Sequence, residues 1–156
     1  MGNYTFKQFP SEKTLTNWAN GVETVVFTPT EATDVLHLVV GQIIPGSDQY
    51  FSQDFTTSFV PDSGATLALG APVPTGNIEM TGEYRIVWRS MSGALPPSYR
   101  VTLSTPTPLH LNFNCNGMVD SGSLRGLLNG NESIGFLLTF PGCGLDYQKE
   151  IFGATP

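Results

Sequence analysis

The sequence predicts an all-β protein, a two-sheet antiparallel β-sandwich or jelly-roll-like domain of about ten short strands with at most one short helix. Only 13% of the residues are charged, against about 25% in an ordinary domain. The Glu, Lys and Arg that usually cover helices are therefore scarce. Gly, Pro, Thr, Val and Phe are plentiful, and these residues favour strands and turns. The length of 156 residues fits one domain, so we predict a single domain over residues 1–156.

The first half of the chain alternates apolar and polar residues in segments that end at Pro or Gly. Asn3–Phe9 has the period-two pattern of a half-buried strand. Ser11–Asn20 fits a short capped helix and a strand equally well, because Leu15 and Trp18 could share a helix face while its Thr residues favour a strand. The further predicted strands are Val22–Thr28, Asp34–Ile44, Tyr50–Val60 and Ala65–Leu69.

The second half continues the strand pattern. A hairpin is predicted with its turn at Thr81–Gly82, and Thr105–Pro108 is predicted to break the strand that begins at Tyr99. Asn129–Gly130 has the composition of a turn. The remaining predicted strands are Leu109–Cys115, Ser123–Leu128, Glu132–Phe140 and Gln148–Phe152, the last as an edge strand. Strands at this spacing without intervening helices are typical of sandwiches and jelly rolls.

The charge balance argues against two kinds of partner. The net charge is −6, and the seven Lys and Arg residues are scattered. Nucleic-acid binding and docking on an anionic membrane both need clustered basic residues, so we expect neither partner. No apolar run reaches the length of a transmembrane helix. The first residues lack the basic and apolar regions of a signal peptide, so we expect synthesis in the cytoplasm.

The two cysteines, Cys115 and Cys143, leave two interpretations open. They could form a disulfide worth roughly 3–4 kcal/mol in the chain-entropy model, or they could remain buried thiols in a reducing cytosol. Two cysteines without a nearby histidine cluster do not predict a zinc site.

The residues that usually carry catalysis are few. His37 and His110 both fall within predicted strands, where a lone histidine is ordinarily a packed or surface residue. The acidic residues lie beside turns, as in Asp62-Ser63-Gly64 and Asp120-Ser121-Gly122, where Asp caps the backbone; a loop calcium site is the alternative. No hydrolase, phosphate-loop or dinucleotide motif is present. We therefore predict no enzyme activity, no catalytic residues, no metal and no cofactor.

One segment resembles a known family. Glu83-Tyr84-Arg85-Ile86-Val87-Trp88-Arg89-Ser90-Met91-Ser92 is similar to the closing strand of the periplasmic copper-resistance sandwich domains, where a Tyr-x-Val-x-Trp-Arg stretch runs into a turn. The family continues with Asp-Gly-His, whereas this chain has Gly93-Ala94-Leu95. The resemblance implies a shared β-sandwich strand pattern and no copper ligand.

The function predicted from these features is that of a non-enzymatic structural or interaction protein. The low charge, the Pro-rich loops and the small, acidic β domain resemble, in type, the capsid decoration (cement) and tail or fibre accessory proteins of tailed phages. We therefore expect a virion protein that bridges neighbouring subunits as a homo-oligomer or on the major capsid protein lattice. The predicted contact residues are Tyr4, Phe6, Pro72, Pro74, Ile151 and Phe152.

Two other functions fit the same residues. Aromatic side chains lining one exposed face could stack on sugars, as in a carbohydrate-binding β-sandwich module, although their alternation with polar residues favours a place in the core. A secreted immunoglobulin-like adhesion domain is the other alternative.

Overall fold

The computed structural model describes residues 2–8, 18–41, 49–68, 70–88, 98–115, 118–143 and 146–153. These residues contain nine β-strands and no helix. The strands are β1 (Gly2–Gln8), β2 (Trp18–Thr28), β3 (Glu31–Gly41), β4 (Gln49–Pro61), β5 (Gly76–Trp88), β6 (Ser98–Leu111), β7 (Val119–Leu128), β8 (Gly135–Phe140) and β9 (Gln148–Phe152). The all-β prediction is therefore confirmed.

The nine strands form one open antiparallel sheet whose spatial order follows the chain from β1 to β9. Consecutive strands pair with each other, from β1 with β2 to β8 with β9. The prediction of two packed sheets is wrong for the described strands, because all nine belong to one sheet in which neighbours in the chain are neighbours in space. The strands are also longer than predicted, up to 14 residues in β6.

The sheet has one apolar face and one polar face. Residues directly opposite each other on antiparallel strands point to the same side of a sheet. One row that crosses the sheet from β3 to β9 is Leu36, Phe55, Gly82, Leu103, Gly126, Phe136 and Ile151. We call the side of this row the apolar face; its other members include Leu38, Val40, Phe51, Phe59, Ile78, Met80, Tyr84, Ile86, Val101, Leu109, Leu111, Leu124, Leu138 and Phe140. The other face, which we call the polar face, carries most of the charged and hydroxyl side chains, namely Thr33, His37, Ser52, Asp54, Thr56, Glu83, Arg85, Arg100, Thr102, Arg125 and Thr139. It also carries apolar residues, namely Val35, Val39, Val60, Val87, Leu127 and Leu137.

The apolar face is only partly covered. Among the described residues the buried hydrophobic side chains are Phe55, Phe59, Val87 and Cys115, and no side chain is less than 2% exposed. The accessible surface of the chain is 10220 Å². A compact monomer of 16.8 kDa exposes about 7,700 Å² by the usual size scaling. The chain therefore exposes about 2,500 Å² more than a protein of its mass that covers its own core.

Phenylalanine side chains on the apolar face lie over glycines of the neighbouring strand. Phe55 lies opposite Gly82, and a Cβ on Gly82 would be 2.6 Å from Cδ1 of Phe55. Gly76 lies opposite Pro61, and a Cβ on it would be 2.7 Å from Cζ of the diagonal neighbour Phe59. The predicted turn at Thr81–Gly82 is therefore wrong: β5 runs straight through it, and the glycine makes room for an aromatic ring.

Three other predictions are corrected or confirmed by the described residues. The predicted break at Thr105–Pro108 lies inside β6, where the register shifts between Ser104 and Thr107 accommodate the prolines, which have no N–H to donate. Residues 65–68 form a loop rather than a strand, since the Leu67 N–H donates to the Pro29 carbonyl outside the sheet. The edge strand Gln148–Phe152 is confirmed.

The predicted helix or strand over Ser11–Asn20 falls partly outside the described residues. Its last three residues, Trp18–Asn20, belong to β2, and residues 11–17 lie outside the described ranges.

Candidate functional site

A cluster of charged side chains lies at the end of the sheet where β4, β6 and the β4–β5 loop meet. His110 is the second-last residue of β6, and Asp120 is the second residue of β7. Asp62 directly follows β4, and its N–H donates to the Thr75 carbonyl across the loop, at 3.0 Å. The hairpin between β6 and β7 closes with the Asn112 N–H donating to the Met118 carbonyl, at 2.9 Å. The sheet order therefore brings together residues that are 48 positions apart.

Both nitrogens of the His110 ring face carboxylates. Nδ1 lies 2.7 Å from Oδ1 of Asp120, and Nε2 lies 3.1 Å from Oδ2 and 3.2 Å from Oδ1 of Asp62. Asn112 donates from Nδ2 to Oδ2 of Asp120 at 2.9 Å, and Ser121 donates to Oδ1 of the same carboxylate at 3.3 Å. The cluster joins the β4–β5 loop to the adjoining ends of β6 and β7.

The cluster favours a charged histidine between two charged carboxylates. The hydrogen bond with Asp120 and then that with Asp62 raise the pKa of His110 above its ordinary value. The pKa of Asp120 is lowered first by the Asn112 amide and next by His110. The pKa of Asp62 is lowered first by the Thr75 hydrogen bond and next by His110. All three shifts favour the ion pairs, because each charged form is hydrogen-bonded.

This arrangement is better suited to holding loops than to catalysis. A general base needs a ring nitrogen free to accept a proton, and both nitrogens of His110 face carboxylates. The Ser121 hydroxyl donates to Asp120. Within the described ranges no group of three or more His, Cys, Asp or Glu side chains is arranged to hold a metal ion.

The disulfide is at the same end of the sheet. Cys115, in the β6–β7 hairpin, is bonded to Cys143, which follows β8, and their Cα atoms are 5.1 Å apart. Of the two interpretations that the sequence left open, the structure contains the disulfide. It ties the β6–β7 hairpin to the β8–β9 loop, so the loops at this end are joined both covalently and by the His110 ion pairs.

The polar face carries further ion pairs but no second cluster of this kind among the described residues. His37 of β3 contacts its cross-strand neighbour Asp54 through Nδ1 and Oδ1. Glu83 lies 3.7 Å from Arg100 and 4.0 Å from Arg85. Such exposed pairs contribute little to stability, on the order of 0–1 kcal/mol each. His37 and His110 belong to separate contacts and do not form one site.

An open depression of about 630 Å³ lies on the polar side of β6 to β9, where Arg125 contacts the ring of Phe152 at 5.8 Å. Thr139, Glu150 and Ser123 contribute to its lining. The Ser123 hydroxyl accepts from the Thr107 N–H at 3.2 Å, and no histidine or cysteine is among the described lining residues, so nothing in its chemistry indicates a reaction.

The apolar face is partly uncovered in the described chain. Phe51, Phe55 and Tyr84 form its aromatic centre, with ring centroids of Tyr84 5.6 Å from Phe51 and 4.7 Å from Phe55. On the same face, Ile86 of β5 is 37% exposed and Ile151 of β9 is 58% exposed. Monomeric soluble proteins rarely expose contiguous apolar patches larger than a few hundred Å². This face is therefore the stronger candidate for function, as an interface.

The predicted contact residues lie in three separate places. Tyr4 and Phe6 belong to β1, one edge of the sheet, and their side chains lie outside the described part of the chain. Pro72 and Pro74 lie in the β4–β5 loop. Ile151 and Phe152 lie on β9, the other edge, and on opposite faces. Their role in contacts remains a prediction.

Sequence reasoning missed both candidate features. It placed Asp62 and Asp120 in turns and His110 alone in a strand. The Asp-Ser-Gly triplet, which occurs at both Asp62 and Asp120, was the one signal in the sequence that pointed to the cluster. Its glycines, Gly64 and Gly122, both take positive φ, at 85° and 109°. The alternating pattern identified the apolar residues but not that one sheet would leave them partly uncovered.

The chain was compared with protein-family models, curated proteins and solved structures, and none of the three gave a match. Among the described residues no helix is long and apolar enough to cross a membrane.

Proposed function

We propose that this protein is a non-enzymatic structural protein that works as a subunit of a larger protein assembly, with contacts made through the apolar face of its sheet. The observation that carries the proposal is the apolar face of a single sheet, in a chain that has 10220 Å² of accessible surface against about 7,700 Å² for a compact chain of this mass. A standard protein–protein interface takes about 800 Å² from each partner, so the excess is ample for one.

The more specific form of the proposal is a virion component of a tailed phage, such as a capsid decoration protein or a tail or fibre accessory protein. The low charge, the net charge of −6 and the Pro- and Gly-rich loops support it. The disulfide also suits such a place, because disulfides persist in oxidising surroundings, including virion surfaces. The predicted contacts at Pro72, Pro74 and β9 belong to the same proposal.

The proposal is tested by fractionating the native source of the protein by sedimentation. Particles are sedimented and analysed by mass spectrometry, and we expect this chain in a fixed ratio to the major subunit of fast-sedimenting particles. Its presence only in the slow fraction of free proteins would refute the proposal. A monomer that binds glycans on an array would instead support the carbohydrate-binding alternative.

A pair of variants tests whether the apolar face makes the contacts. Ile86→Glu and Thr81→Glu each add one negative charge at an exposed position of β5, the first on the apolar face and the second on the polar face. We expect the Ile86→Glu protein to be lost from particles and the Thr81→Glu protein to remain. Equal retention of both, with native circular dichroism, would show that the apolar face is not the contact surface.

A further inference from the structure

One charged residue on the apolar face lacks a partner for part of its side chain. Asp34 lies on β3, opposite Val25 of β2 and Thr57 of β4. Its Oδ1 atom is buried and has no hydrogen-bond donor among the described residues. A buried carboxylate oxygen without a donor is costly, so such an atom is normally paired. The Asp34 side chain as a whole is half-buried.

A lysine lies on the same face at the far side of the sheet. Lys149 of β9 pairs with Leu138 of β8, and it is exposed. It makes no ion pair with any described residue. Asp34 and Lys149 each lie two residues before the row that contains Leu36 and Ile151, and β3 and β9 run in the same direction. The two charges are therefore level along the strands but six strands apart.

We propose that the apolar face binds a second copy of this chain, sheet against sheet, around a two-fold axis that runs parallel to the strands along β6. This proposal rests on the proposed function and specifies the partner. In this arrangement β3 of one subunit lies over β9 of the other, so Asp34 meets Lys149 of the partner subunit twice per dimer. The sequence predicts a two-layer sandwich within one chain; in this dimer two chains form the two layers.

The charges select this axis over the other face-to-face arrangement. A two-fold axis across the strands would place each strand over its own copy, so Lys149 would lie over β9 of the partner subunit, six strands away from that subunit's β3. The axis along β6 instead pairs opposite charges, and it lays β4 over β8 and β5 over β7. Packed sheets are about 10 Å apart, a gap that the long lysine stem can span towards a short aspartate.

The area also matches a stable dimer. A standard interface takes about 800 Å² from each partner, which is less than the excess of about 2,500 Å² that both faces and the loops of one chain share. Edge-to-edge pairing is a weaker route, because β9 has Lys149 and Glu150 next to each other and charged residues blunt an edge strand.

Sedimentation equilibrium of the full chain at micromolar concentration tests the proposal. We expect twice the 16.8 kDa mass of the chain. Asp34→Lys and Lys149→Asp each place like charges in contact, so each should weaken the dimer by about tenfold or more. The double variant exchanges the charges and should restore most of the wild-type affinity. Glu150→Lys changes the charge as much as Asp34→Lys but on the polar side of β9, so it should leave the dimer unchanged.

A monomeric wild-type chain would overturn the proposal, and so would single variants that dimerise like wild type or a double variant no better than either single one. Asp34→Asn and Lys149→Gln remove the charges with little change of shape; if the swapped variants fail to fold, weaker dimers in these two variants are the expected result. A monomer that still sediments with native particles would refute this proposal alone. A dimer absent from particles would refute only the proposed function.

Discussion

Replacing Gly82 with alanine tests the registration of β4 against β5 at the centre of the sheet. The added Cβ would lie 2.6 Å from Cδ1 of Phe55 and would also meet the carbonyl oxygen of Asp54. Phe55 is only 7% exposed, so its ring has little freedom to move away. Overpacking of this kind costs about 1–3 kcal/mol. In a domain of this size that corresponds to a fall in Tm of about 2–12 °C.

The assay is thermal unfolding followed by circular dichroism at one fixed protein concentration, because the Tm of an associating protein depends on concentration. Gly142→Ala is the matched control: a Cβ at Gly142 meets nothing within 4 Å. We expect the Tm of the control to stay close to that of wild type.

A second change separates packing from backbone effects. Phe55→Leu shortens the side chain that lies over Gly82 and should recover part of the loss in the double variant, because residues in contact show a coupling energy of about 0.5–3 kcal/mol. A Gly82→Ala protein as stable as wild type, or purely additive effects, would refute the contact between Gly82 and Phe55 and with it this register.

Three further outcomes are expected. The double variant Cys115→Ser, Cys143→Ser should lose about 3–4 kcal/mol of unfolding free energy in urea titrations, and equal stability would contradict a formed disulfide. Because the pKa of His110 is raised in the folded state, its ion pairs stabilise the fold fully below the ordinary pKa of 6.5, and this stabilisation is lost as the pH rises through the raised pKa. Because the pKa of Asp62 is lowered, its charged form stabilises the fold above the ordinary pKa of 3.8, and this stabilisation is lost as the pH falls through the lowered pKa. Stability measured against pH should therefore be greatest between these values, and His110→Gln should remove the fall on the alkaline side; an unchanged profile would show that the ion pairs do not form. Phe55→Ala should cost about 3–5 kcal/mol, whereas a similar loss for exposed Phe113→Ala would contradict the assigned burial.

The local features of the fold could be predicted from the sequence, because they depend on neighbours in the chain. The alternation through Gln148–Phe152 identified the last strand, and Asn129–Gly130 identified a turn in which both residues take positive φ, at 53° and 71°. Gly82 misled the prediction, because a glycine in a strand can mark a turn or make room for a ring on the next strand. Only the register of β4 against β5 decides between them.

The candidate features depended on sheet order, which a single sequence does not contain. Asp62 reaches His110 because β4, β5 and β6 are adjacent, across 48 positions of chain. The period-two pattern shows that each strand has one side to be covered. It does not show whether the cover comes from the same chain or from another, and for this reason the two-sheet prediction was wrong for one chain.

Zero-length cross-linking tests most directly whether a second copy covers the apolar face. Asp34 and Lys149 are six strand spacings apart, about 29 Å along the sheet, and β3 and β9 make no contact in the described chain. A carbodiimide link between them must therefore join two molecules. In a mixture of ¹⁴N- and ¹⁵N-labelled chains, we expect linked Asp34–Lys149 peptides that contain one light and one heavy partner. A chain that sediments as a monomer and gives no such mixed peptide would contradict the account.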